Sequence, residues 1–133
     1  MLVRYHKDYQ KIVMGLLSFI PSLNNVKRLH DEIFWSTADD QPIFLWQTPD
    51  GGHFIGVVIL EVKDDYVLVR RLSFTPSERT GRNIYSLLDA VAARYPDKRV
   101  VGTLTNQPLI TNWEKELHER QTSHRRPPVS ADN

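Results

Sequence analysis

The chain has 133 residues, 41% hydrophobic and 25% charged, with a net charge of +1 and no cysteine. That is one domain of ordinary globular composition, long enough to bury a sizeable core. The small charge gives no global field toward nucleic acid or membrane, and the missing cysteines exclude a disulfide framework, thiol catalysis and thiolate zinc sites. No run has the length of a transmembrane helix, and the start "MLVRYHKDYQ" lacks the apolar core of a signal peptide, so a soluble cytoplasmic domain is expected.

"LVRY" has strand character and leads into Tyr9–Ile20, where Ile12, Val13, Leu16, Leu17 and Ile20 recur at helical spacing. Pro21 stops that helix, and Ser22 is a cap for a second one with Leu23, Val26, Leu29, Ile33 and Phe34 as its apolar stripe. "IFLWQT" and "HFIGVVILEV" are strands joined through "PDGG", with Asp-Gly at the centre of a hairpin. "YVLVRRLSF" is a further strand whose alternation is interrupted by Arg70 and Arg71. A helix follows with Ile84, Leu87, Leu88, Val91 and Tyr95 on one face, then the buried strand "VVGTL" and a last, short helix in "NQPLITNWEKELHER". Strand–helix–strand of this length predicts a parallel crossover. From Gln121 the composition turns polar, which predicts a domain over 1–120 and a disordered tail over 121–133. The order β-α-α-β-β-β-α-β-α implies an α+β layer fold with a mixed sheet.

The stretch "FTPSERTGRNIYSLL", 74–88, joins a strand to a helix, where a helix N-terminus offers unpaired amides to an anion. Gly81 and then Asn83 are the residues most tolerant of left-handed backbone, and Arg79 and Arg82 beside them suit a pyrophosphate. The competing reading is a plain turn, an N-cap at Ser77 or Thr80, and solvated arginines. The five histidines share no metal-ligand spacing. Ser73 has no base to activate it. Phe44, Trp46, Phe54 and Phe74 have no interleaved basic residues of the kind a nucleic-acid-binding sheet needs.

Four blocks carry a family resemblance: "MLVRYHKDYQKIVMGLLSFIP" at 1–21, "FLW" at 44–46, "VRRLSFTPSERTG" at 69–81 and "NWEKE" at 112–116. Together they resemble the GNAT N-acetyltransferase superfamily over residues 1 to about 118, and within it the small acetyltransferase-like proteins encoded with riboflavin-biosynthesis enzymes. The resemblance implies acetyl-CoA as acyl donor and an unidentified amine as acceptor. It implies a fourth strand, at Leu72, Ser73 and Phe74, that splays from its parallel neighbour and pairs with the pantetheine arm. It implies a pyrophosphate loop through Arg79, Thr80, Gly81, Arg82, Asn83 and Ile84, with Asn106 and Trp113 completing the donor site. The family loop, Arg/Gln-x-x-Gly-x-Gly/Ala, fits here in neither of two registers: one sets Arg82 and Ile84, the other Asn83 and Tyr85, at the small positions.

The family's carboxylate base has no counterpart, because Tyr66–Phe74 contains no Asp or Glu. Trp113 stands where many members have an acidic tyrosine, and indole cannot give up that proton. The catalytic residues are therefore unknown, with Thr111 and Tyr85 the nearest hydroxyls. The family's final strands have no counterpart in the polar tail, which predicts an open sheet edge and a homodimer. Two functions follow: an N-acetyltransferase, in which an amine attacks the thioester directly and positioning supplies the rate, or a non-catalytic CoA-binding or protein-interaction module.

Overall fold

The computed structural model of the chain describes residues 1–36 and 40–125. It opens with β1 (Leu2–Arg4), a 3-10 turn at Lys7–Tyr9, and the helices α1 (Gln10–Leu17) and α2 (Val26–Trp35). Strands β2 (Ile43–Gln47), β3 (Phe54–Val62) and β4 (Tyr66–Phe74) follow, then α3 (Gly81–Arg94), β5 (Arg99–Gly102) and α4 (Gln107–Arg125). The strands lie in chain order, β1 to β5, each pair antiparallel except β4 with β5. This is the α+β fold with a mixed sheet that the element order predicts. Among the described residues no helix is long and apolar enough to cross a membrane.

Each face of the sheet carries its own core. On one, Val13, Leu17, Leu29 and Ile33 of α1 and α2 pack on Ile43, Leu45, Val57 and Ile59. On the other, Leu87, Leu88, Val91, Ile110 and Trp113 of α3 and α4 pack on Val58, Leu60, Val69, Leu72 and Phe74. β3 lies between both helical layers, so its sequence is an apolar run from Phe54 to Leu60 instead of an alternation. At Gly56 an added Cβ would stand 2.7 Å from the Phe74 ring, so only glycine lets that ring lie flat on the strand.

The β2–β3 turn uses Gly51 at φ 74°, a left-handed position. The Asp50 carboxylate accepts from the Thr48 hydroxyl and from the Gly52 amide, and these bonds hold its pKa below the ordinary carboxylate value.

β4 departs from a regular ladder. Ile59 is paired with Arg71 and Leu60 with Val69, so Arg70 is an extra residue facing nothing on β3. Such a bulge bends the strand and breaks the period of two. Val67, Val69, Leu72 and Phe74 all reach the α3–α4 core, while Arg70, Arg71 and Ser73 all contact the α1–α2 side. The interruption seen in the sequence at Arg70–Arg71 is this bulge.

Three local expectations need correction. Asn25, not Ser22, caps α2: its side chain accepts from the Arg28 amide at 2.9 Å, while Ser22 sits in a separate 3-10 turn, Pro21–Leu23. The buried face of α2 is Leu29, Glu32 and Ile33, whereas Val26 and Phe34 are 63% and 80% exposed. A stripe chosen by apolarity alone overlooked a carboxylate lying on the inner face. Lastly, the final helix is not short: α4 runs 19 residues, to Arg125, and of the expected tail, 126–133 lie outside the described residues.

Candidate functional site

The parallel pairing of β4 with β5 runs from Tyr66 and Arg99 to Val69 and Gly102 and then stops. Beyond Gly102 the chain turns at once into α4, with the Asn106 and Gln107 amides both donating to the Thr103 carbonyl. Gly102 is packed so closely on this turn that an added Cβ would lie 2.9 Å from the Gln107 nitrogen. The Asn106 side chain is buried at the fork and donates to the Val69 and Arg70 carbonyls, each at 3.2 Å. It gives β4 the donors that a neighbouring strand would have given. Past it, Leu72, Ser73 and Phe74 keep β3 on one side and face a cleft of about 400 Å³ on the other.

That cleft gathers five of the predicted site residues: Leu72, Ser73, Phe74, Arg79 and Asn106. Phe19 and Ile20 wall it from the end of α1, and Thr105 from the β5–α4 turn. Ser73 fixes α1 to the strand, its hydroxyl donating to the Leu16 carbonyl at 2.6 Å.

The loop after β4 differs from the expected phosphate cradle. Among the described residues only Gly51 has positive φ, so neither Gly81 nor Asn83 is left-handed. Pro76–Glu78 forms a 3-10 turn and Thr80 caps α3, accepting from the Asn83 amide at 3.2 Å. Asn83 turns its side chain back to the Glu78 carbonyl and carboxylate. Gly81 and Arg82 occupy the first turn of α3, where amides have no intrahelical acceptor. The two arginines part company: Arg79 lines the cleft, while Arg82 lines a separate groove of about 440 Å³ with Tyr85, Asp89 and Arg120. Ile84 is core.

The remaining candidates lie away from the cleft. Thr111 is exposed and accepts from the Gln107 side chain. Tyr85 faces the second groove. Trp113, 3% exposed, is part of the α3–α4 core, and its indole donates to Asp89 at 2.9 Å. It does not line the cleft. No carboxylate, histidine or tyrosine is among the described residues that do.

A cluster that the sequence reading missed lies beside it. Glu32 is buried on α2 and accepts three hydrogen bonds: from Arg70 Nε at 2.8 Å, Arg70 Nη2 at 3.4 Å and Arg71 Nη2 at 3.3 Å. Arg70 also stacks on Trp35, its guanidinium 4.0 Å from the ring centroid. Arg71 Nη1 donates to Ser22, and its Nε is buried without a hydrogen-bond partner. The bulge makes this possible, because regular alternation would send the two arginines to opposite faces. The signal was present: two consecutive arginines in a buried strand need a carboxylate, and Glu32 follows Leu29 by three positions on the inner face of α2.

No protein-family profile matches the chain. An uncharacterized N-acetyltransferase from the lysA 3′ region of Bacillus methanolicus is 35% identical over 116 residues, which are 86% of this chain and 95% of that protein. The chain belongs to the GNAT N-acetyltransferase superfamily. Solved structures with this fold include an aminoglycoside N-acetyltransferase, AAC(6')-Iy in complex with CoA, at TM-score 0.61 and 17% identity over 90% of this chain and 84% of that one. The histone acetyltransferase HPA2 and related acetyltransferase from Corynebacterium glutamicum aligns at TM-score 0.63 and 14% identity, over 84% and 81% of the two chains. At these identities the likeness is one of fold. The side chains of the cleft offer cations and hydroxyls, and among the described residues none that lines it is a carboxylate, histidine or tyrosine.

Proposed function

We propose that this N-acetyltransferase moves the acetyl group of acetyl-CoA to an amine, with the donor lying in the cleft along β4. The supporting observation is the fork between β4 and β5, which leaves Leu72–Phe74 without a strand partner on the side that faces a cleft of about 400 Å³. An extended pantetheine arm can pair with such an edge as an added strand would. Arg79 and the first-turn amides of α3 are the groups for the donor's phosphates. The amine nitrogen attacks the thioester carbonyl, the C–S bond breaks, CoA leaves as a thiolate and the ammonium proton passes to solvent. A thiol pKa of about 8.5 makes that thiolate a good leaving group, so positioning can replace an acid. The block at 1–21 supports a finer assignment to RibT, the acetyltransferase-like protein encoded with bacterial riboflavin-biosynthesis enzymes, working in the cytoplasm. A homodimer that pairs the open edge of β5 is part of the same proposal.

Calorimetric titration with acetyl-CoA, followed by CoA release with a panel of amines, tests the reading. Binding weakened by Arg79→Ala, together with amine-dependent release, is the expected result. The absence of any base from the cleft favours a second reading, a CoA-binding module without turnover. Binding without release from any amine would select it, and no binding at millimolar acetyl-CoA would end both. Light scattering at micromolar concentrations tests the dimer.

A further inference from the structure

The cavity between α2 and β4 holds more positive charge on its accessible side than its formal count suggests. It measures about 350 Å³ and shares Arg70 and Arg71 with the cleft. Both oxygens of Glu32 are spent on those two arginines. The glutamate side chain is 6% exposed, whereas Arg70 and Arg71 are 31% and 25% exposed. What a solute meets is therefore guanidinium, with the countercharge behind it. At the rim, Arg28 and Asp31 offset one another in formal charge. The cleft adds Arg79 and no carboxylate. Arg71 still has donor capacity, since each of its Nη groups carries two N–H bonds and Nη1 and Nη2 make one hydrogen bond each, to Ser22 and Glu32.

We infer that the acceptor is an amine bearing an oxyanion, a carboxylate or a phosphate ester, which Arg70 and Arg71 hold while the amine projects to the β4 edge. This rests on the acetyltransferase reading and narrows its substrate class. Polyamines and other polycations are disfavoured, because they would bring positive charge against two partly buried guanidiniums. The pocket takes small amino acids or aminoalkyl phosphates. The ion cluster has the geometry of a receptor: Glu32 fixes the orientation of both guanidiniums, so little ordering remains when the oxyanion arrives.

The probes are 2-aminoethyl phosphate and β-alanine, compared with ethanolamine and spermidine. Binding to the full chain is read by calorimetry without acetyl-CoA, and turnover by CoA release. The anionic amines should bind at least about tenfold more tightly than the others, the size expected for one charge-assisted hydrogen-bonded pair. Arg71→Gln, which leaves Glu32 its two bonds to Arg70, should remove most of that preference. Arg71→Lys, which keeps the charge but loses the fork, should restore part of it. Loss of structure alone would weaken ethanolamine and the anionic amines alike, so a selective loss that lysine partly repairs distinguishes recognition from scaffolding; thermal melts check that each variant folds. Preference for spermidine, or an undiminished preference for the anionic amines in folded Arg71→Gln, would overturn the inference. Displacement of 2-aminoethyl phosphate by CoA, with equal loss in Arg79→Ala, would overturn it too, since the oxyanion would then be the donor's. Anion binding at Arg71 with no turnover of any amine would sink the transferase reading and leave the oxyanion site standing.

Discussion

Gly102→Ala should damage both stability and donor binding, and Gly81→Ala neither. At Gly102 a Cβ would come within 2.9 Å of the Gln107 nitrogen and of Ile110 Cγ1, and 3.0 Å of the Asn106 carbonyl carbon. Two of these are backbone atoms, so no rotamer change relieves the clash, and the start of α4 must retreat by about half an ångström to reach ordinary contact. The Asn106 hydrogen bonds to Val69 and Arg70, at 3.2 Å, already sit at the long end of the normal range and would break. Overpacking of this kind costs roughly 1–3 kcal/mol and two lost hydrogen bonds about 1 kcal/mol each. A total of about 3–5 kcal/mol lowers the melting temperature by roughly 10–20 °C in a domain of this size. With Asn106 released from the fork, acetyl-CoA should bind about tenfold more weakly, or 1.4 kcal/mol. At Gly81 a Cβ would meet nothing within 4 Å and the backbone is ordinary helix, so alanine should be neutral or raise stability by up to about 1 kcal/mol. Urea unfolding and calorimetry on both variants form the assay. If Gly81→Ala proves the more harmful, or Gly102→Ala melts and binds like the parent, the wedge role given to Asn106 is wrong.

Trp113→Phe should cost about 1 kcal/mol through the lost bond to Asp89 and leave turnover per folded molecule unchanged, as steady-state rates well below the melting point would show. Gly56→Ala should destabilise by roughly 1–3 kcal/mol by displacing the Phe74 ring, and in a double-mutant cycle Phe74→Leu should recover part of that loss. Because the Thr48 hydroxyl and then the Gly52 amide lower the Asp50 pKa, its stabilisation is full above the ordinary carboxylate value of 3.8 and disappears as pH falls through the lowered folded value. Melting curves of wild type and Asp50→Asn should differ by a constant amount above that pH and converge below it.

The element order could be read from the chain because each element announces itself locally. Leu87, Leu88 and Val91 carry the helical period, Asp50-Gly51 marks the hairpin, and the apolar run of β3 betrays burial on both faces. The fork was less accessible. Resemblance pointed to Leu72–Phe74, but what holds the strands apart is a tertiary contact of Asn106 with carbonyls more than thirty positions earlier. The Glu32 cluster escaped for a related reason: a carboxylate on a helix reads as solvent-facing until its partners on a distant strand are known. Arg82 and Trp113 show the converse. Resemblance named both, yet the direction of a side chain from a helix depends on turns of 100° per residue, and neither lines the cleft.

The extra residue in β4 ties together two properties that need not have been linked. Delete Arg70, and Leu60 would still oppose Val69 and Ile59 would still oppose Arg71, so every inward side chain would keep its place. What would vanish together are the second guanidinium on the α2 side and the bend in the strand. The fork would stay, because β5 ends at Gly102 whatever β4 does. A single inserted residue thus sets a second cation on one face of the sheet without moving the apolar side chains on the other.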